Sequence, residues 1–288
     1  MLLLKDGRIA CYSDAATIEI FDIAKKKRDL VITMENNSIK SVCQLENGNI
    51  IIYTKKAFLI YSLSKDTYNC EDIIKIRDNS HNTVMNLENN IIATYNFEIY
   101  LWNINKPYSD KPFKKLNGHE AGIVDMLYIK NKKKLISLDI QSCAVIWDIK
   151  TFQSIMTITF STVEEIDNEE EIQTNTLLLL NEETIVVGGE EHLFFVDINK
   201  GNFRKKELCS GIGKTIKITS IIKLRDNKNI LCGEECKLGN FLLYNTDSDS
   251  FIRIKTTHTH WVKQLLNINE NTFASTGSID DFLRIWKY

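Results

Sequence analysis

Short apolar runs of two-residue period recur along the whole chain, among them IEIFDI (18–23), FLIYSL (58–63) and IYLWNI (99–104). They are rich in β-branched and aromatic residues and carry no 3.6-residue stripe, so they predict strands and not helices. Between them lie polar turns built on asparagine, as in Glu46-Asn47-Gly48, Glu88-Asn89-Asn90, Asp226-Asn227 and Glu270-Asn271. Asparagine tolerates left-handed backbone and can stand in for glycine there. The clearest unit is the closing stretch THTHWVKQLLNINENTFASTGSIDDFLRIWKY, residues 257–288. It predicts strands from Trp261 to Ile268, Phe273 to Gly277 and Phe282 to Trp286, which together form a β-meander.

The unit repeats. Its second strand aligns Ile9, Ile50, Ile91, Leu135, Ile185, Ile230 and Phe273, and its third aligns Phe21, Tyr61, Trp102, Trp147, Val196, Tyr244 and Trp286, each series with separations between 40 and 50 residues. Two concordant registers favour a repeat over a sandwich of unrelated strands. A period in this range with four short strands per copy is that of a β-propeller. The expected fold is all-β: a seven-bladed propeller of four-stranded antiparallel blades over 1–288, with copies near 1–37, 38–80, 81–120, 121–160, 175–210, 215–256 and 257–288. Residues 161–174 form an acidic insertion loop in this reading. The chain starts inside an inner strand and stops at Trp286 in a third strand, so the seventh blade is expected to lack its outer strand. Upstream residues of a longer protein are the favoured source of that strand; a three-stranded blade and a strand donated by another polypeptide are the alternatives.

The sequence resembles the WD-repeat propellers. Trp147-Asp148 is the family dipeptide, Gly118-His119 is the preceding Gly-His, and the other copies are degenerate variants. The resemblance implies a structural tetrad in copy seven, formed by His258, Thr276, Asp280 and Trp286, in which the acid holds the imidazole, the imidazole reaches the hydroxyl and the hydroxyl meets the indole. Copy four keeps His119, Ser137 and Trp147, with Gln141 at the acid position, so its network is expected to be the weaker and copy seven the complete one. A hydroxyl, a His and an Asp also make a nucleophile relay, but only with an exposed nucleophile and an oxyanion hole. At matching repeat positions the structural role is the expected one.

Composition narrows the function classes. The 288 residues are 43% hydrophobic and 26% charged with a net charge of −2, which disfavours wholesale binding to phosphate backbones. No apolar run approaches the ~18 residues of a membrane span, and seven cysteines on a chain this long fit reduced thiols, so an intracellular protein, cytoplasmic or nuclear, is expected. Cys232 and Cys236 with His258 and His260 are loosely zinc-like, but a single pair at this spacing is weak, and neither a metal nor a cofactor is expected. Gly188-Gly189 and Gly211-x-Gly213-Lys214 are read as turns and not phosphate loops, because no helix follows.

Charge sorts by face. The outer-to-inner and second-to-third strand turns share one face of a propeller, and here they collect Glu190, Glu191, Glu234, Glu235, Asp280 and Asp281 with the acidic insertion, while Lys25 to Arg28, Lys132 to Lys134 and Arg204 to Lys206 fall on the other. The leading expectation is a non-enzymatic protein-interaction scaffold whose acidic face, at Glu190, Glu191, Glu234, Glu235 and Asp281, takes a Lys/Arg-rich peptide or protein. An assembly subunit completed by a partner's strand is the alternative. A propeller enzyme finds no recurring inward metal or carboxylate set, and the basic face lacks the interleaved aromatics that nucleic-acid binding uses, so neither nucleic acid nor membrane is expected as a partner.

Overall fold

A computed structural model describes residues 1–12, 16–34, 38–76, 83–160, 173–208, 216–280 and 282–288. The chain is all-β. Seven antiparallel sheets follow one another, six of four strands and the last of three, each a meander with the strand order of a propeller blade. The chain divides into two compact units, Met1–Gly118 and His119–Tyr288.

The first unit holds three blades. They comprise β1 to β4 (Leu2–Leu3, Ile9–Tyr12, Thr17–Asp22, Lys27–Thr33), β5 to β8 (Ile39–Gln44, Ile50–Thr54, Ala57–Leu63, Tyr68–Lys75) and β9 to β12 (Thr83–Asn86, Ile91–Tyr95, Ile99–Asn103, Lys114–Leu116). The run IIIYT of β6 is buried at every position. Alternation explains why. Ile50 and Ile52 enter one apolar cluster with Ile18, Ile20 and Ile32 of the first blade, while Ile51 and Tyr53 enter another with Ile92 and Trp102 of the third. A middle strand covered on both faces reads as a continuous apolar run, and each isoleucine so buried contributes about 1.5 to 3 kcal/mol. The outer strand β8 has only one covered face and is mostly exposed.

The second unit repeats this design with four blades. They are β13 to β16 (Ile123–Ile129, Lys134–Asp139, Cys143–Asp148, Gln153–Thr159), β17 to β20 (Thr174–Leu179, Thr184–Gly189, His192–Asp197, Phe203–Glu207), β21 to β24 (Ile218–Lys223, Asn229–Glu234, Phe241–Asn245, Ser250–Ile254) and β25 to β27 (Val262–Asn269, Thr272–Gly277, Leu283–Lys287). Ile185 and Val187 of β18 face the fourth blade's cluster, and Val186 faces the sixth blade's.

Turns and bulges set where the polar side chains of the blade ends point. Asparagine does make turns: Asn89, Asn90 and Asn227 adopt positive φ, and the Asn181 side chain accepts from the amides of Glu183 and Thr184. Each inner strand of the fifth, sixth and seventh blades also carries a β-bulge near its start. Thr174 pairs with Gly189 and Thr176 with Gly188, leaving Asn175 extra; Thr219 and Lys263 are the extra residues of β21 and β25. Residues 161–172, most of the acidic insertion, and the 211–214 glycine turn lie outside the described residues.

Candidate functional site

Two side-chain networks cross the second unit. In the seventh blade His258 sits 2.6 Å through Nδ1 from Asp280 Oδ2 and 2.6 Å through Nε2 from Ser275 Oγ, which accepts from Trp286 Nε1 at 2.7 Å. The hydroxyl is Ser275 and not the expected Thr276. Strand alternation decides this: Ser275 shares a face of β26 with Phe273, whose ring stacks on Trp286 at an interplanar angle of 14°, and Thr276 therefore lies on the other face. The register that aligns Phe273 with Leu135 already carries the signal, since it matches Ser275 to Ser137.

The fourth blade's network is complete as well. His119 Nδ1 lies 2.8 Å from Asp139 Oδ2, its Nε2 2.6 Å from Ser137 Oγ, and Trp147 Nε1 donates to that same oxygen at 2.9 Å. The acid is Asp139, at the end of β14, and not a residue at the Gln141 position. Asp280 stands five residues beyond its serine, in the following turn, whereas Asp139 stands two beyond; aligning Thr276 with Ser137 instead carries the four-residue step to Asp280 onto Gln141. The Asp139 carboxylate also accepts from the amide of Cys143 at 2.9 Å, and its backbone carbonyl accepts from Thr174 of the next blade at 2.9 Å. The seventh blade adds an arginine: Arg284 Nη1 lies 2.6 Å from Asp280 Oδ2, and Arg284 Nη2 donates to the Thr257 carbonyl at 3.0 Å.

These networks are packing devices by their geometry. Both serines are fully buried, and each hydroxyl is already engaged by an imidazole and an indole, so neither can reach a substrate. Burial lowers the pKa of His258 against the opposing pull of Asp280, which favours the neutral ring. A neutral ring donates from Nδ1 to Asp280 and accepts the Ser275 proton at Nε2, leaving the serine oxygen free for the indole. Gly277 belongs to the design, because a Cβ there would overlap the Asp280 carboxylate.

The loosely zinc-like set is not assembled. Cys232 is buried with its thiol pushed up to about 12 by burial, Cys236 Sγ accepts from the Asn240 amide, and His258 is taken by its tetrad. Among the described residues His119, Asp139 and Cys143 bring ligand-type atoms within 4.8 Å of one another. There the His and Asp already bond each other, and burial, with the Asp139 charge, raises the Cys143 thiol to about 11.

The expected acidic cluster is rearranged. Glu234 is buried, 2.8 Å from Arg253, so it presents no charge to a partner. Glu190 and Glu235 flank Lys217 at 3.5 and 3.8 Å, Glu191 turns the chain with positive φ, and Asp281 lies outside the described residues. On the basic side Lys25 and Lys27 pair with Asp29, Arg28 with Glu19, and Arg204 and Lys206 with Asp249. Much of that charge is therefore compensated, within the first blade and between the fifth and sixth.

What the sequence did not single out is a cavity of about 400 Å³ at the end of the last three blades that bears the second-to-third strand turns. The bulge residues Asn175, Thr219 and Lys263 line it with Lys217, Trp261 and Ser278. Ile218 and Glu235 complete the wall. The backbone places two pairs alike: Ser278 N donates to the Trp261 carbonyl at 3.0 Å as Glu235 N donates to the Lys217 carbonyl at 2.8 Å. A second hollow of about 310 Å³ shares Trp261 and Glu235 and adds Ile279 and His260. Large apolar side chains stay exposed at this end, Leu238 at 65%, Ile279 at 64% and Trp261 at 38%. No family model matches this chain, and no curated protein matches it either.

Proposed function

We propose that the protein is an interaction scaffold of the WD-repeat type, presenting the turn-bearing end of its fifth to seventh blades to a peptide or protein partner. The two Trp–Ser–His–Asp networks support the type. They pin the strands behind the turns, so the turns are offered from a rigid base and little ordering entropy is lost on docking. The observation that carries the reading is the apolar surface at that end, where Leu238, Trp261 and Ile279 stay exposed beside a cavity. Apolar side chains grouped in this way beside polar turns mark interaction sites. A basic segment of the partner would meet the rim carboxylates Glu190, Glu191 and Glu235. Capture of partners from cell extract by the intact chain, repeated with Glu190→Lys, Glu191→Lys and Glu235→Lys combined, tests this. Capture that weakens and loses its salt dependence supports the basic segment, unchanged capture removes it, and no specific partner at all removes the scaffold.

A second reading has its own observation. Among the described residues the seventh sheet has three strands where the others have four, and β27 carries exposed Ile285 with exposed Phe282 just before it. An unpaired edge of this kind accepts an added strand. A chain that is unstable alone and stabilised by co-expression with an assembly partner would favour this reading.

A further inference from the structure

In the fifth and sixth blades the bulge residues of the inner strands do equivalent jobs. Asn175 Nδ2 donates to the carbonyl of Ile218 in the next blade at 3.2 Å, and Thr219 Oγ1 donates to the carbonyl of Val262 in the blade after that. Each extra residue is turned out of its own ladder by the bulge and used to clip the neighbouring strand, the re-aiming for which bulges are known. Lys263 occupies the same position 44 residues further on, equal to the step from Asn175 to Thr219. It does not clip a strand. Lys263 is exposed, lines the cavity and makes no hydrogen bond or ion pair among the described residues, on a strand buried at Val262 and Leu265.

A second group in the same cavity is also without a partner. The Ser278 hydroxyl is shielded from solvent and makes no hydrogen bond among the described residues. A buried hydroxyl left this way costs about 1 to 3 kcal/mol, so the site is improved by anything that supplies an acceptor. Lys217 adds a second ammonium, held only loosely between Glu190 and Glu235 at 3.5 and 3.8 Å, both beyond good hydrogen-bonding distance. The cavity wall therefore carries Lys263, Ser278 and Lys217, the last shared between the Glu190 and Glu235 carboxylates, next to Trp261.

We infer that this cavity is an anchor site for a carboxylate, supplied by an Asp or Glu side chain or a C-terminus of a partner peptide, with Lys263 and Ser278 binding the oxygens and Trp261 covering the adjoining apolar group. The volume, about 400 Å³, suits an anchor side chain with its neighbour and not a folded domain. The site lies inside the rim of Glu190, Glu191 and Glu235, so one peptide can place an acidic anchor in the cavity and basic flanks over the rim. The inference rests on the scaffold reading only for the source of the peptide.

The test titrates the full chain with three pools of end-blocked heptapeptides whose central residue is Glu, Gln or Lys, and a fourth pool with a free C-terminus, following the fluorescence of exposed Trp261. The Glu or free-terminus pool should bind roughly tenfold more tightly than the Gln pool. Lys263→Met and Ser278→Ala should each erase that preference without lowering the melting temperature, and Lys263→Glu should transfer it to the Lys pool. Equal binding of the Glu and Gln pools, a Lys preference in the native chain, a Glu preference that survives Lys263→Met, or no binding of any pool overturns the proposal. So does displacement of the peptides by inorganic phosphate at equal concentration, which would mark a general anion site. If the pools fail while partner capture persists and depends on Glu190, Glu191 and Glu235, the carboxylate anchor falls and the scaffold stands.

Discussion

Ser275 and Ser137 each satisfy a tryptophan and a histidine with one oxygen, which makes them the least replaceable small residues of their blades. Ser275→Ala should cost about 1 to 3 kcal/mol, because the imidazole nitrogen and the indole N–H both lose a buried partner. Thr276→Ala should cost distinctly less. Denaturant midpoints of the two variants measure the difference, and equal losses would return Thr276 to the tetrad. Asp125 poses a different problem. Its carboxylate accepts the amides of Met126 and of Leu177 in the next blade, each at 2.8 Å, while burial pushes its pKa up to about 6. A raised carboxyl pKa favours the protonated form in the fold, so its contribution is present below the unfolded value near 3.8 and is lost as pH rises towards 6. Compared with Asp125→Asn, the native chain should lose up to roughly 3 kcal/mol of relative stability between pH 4 and 6. Parallel melting curves for the two proteins across that range would refute it.

At the scale of the strand, the ladders separate two kinds of edge. The third strand of the fourth blade, β15, pairs on both sides, with β14 and with β16, whereas β27 pairs among the described residues with β26 alone. Alternate amides of Leu283–Lys287 should therefore exchange with deuterium far faster than those of Cys143–Asp148. Equal protection would mean that the β27 edge is covered in solution. The bulges belong to this scale too. One extra residue in each inner strand turns Asn175, Thr219 and Lys263 towards the same cavity. The apolar pattern of those strands carries no sign of them, because a bulge near the start of a strand shifts the alternation of only a residue or two.

For the molecule as a whole, the thiols report on each unit separately. Cys43 in the first unit and Cys232 in the second are buried and pushed up to about 12 by that burial, whereas Cys70 on an outer strand is exposed. An alkylating reagent should modify Cys70 before Cys43 and Cys232, which it should reach only as their own units unfold. Early labelling of Cys43 would show that the first unit opens locally. At this scale the strand content and the seven-fold repeat are legible in the chain, because middle strands covered on both faces demand unbroken apolar runs such as IIIYT and because Asn-rich turns mark where they end. Among the described residues no helix is long and apolar enough to cross a membrane.

The sequence by itself determined the period, the strand class and the Trp and His members of both tetrads, since each follows from local alternation and fixed spacing. Tertiary structure alone decided which hydroxyl and which acid complete those tetrads, as side chains from different backbone positions converge on one imidazole. It also withdrew Glu234 from the acidic face by burying it against Arg253, and it brought Lys263 and Ser278 of the seventh blade to one cavity with Lys217 of the sixth. Burial and convergence depend on packing between blades, and no pattern read along a single strand contains them.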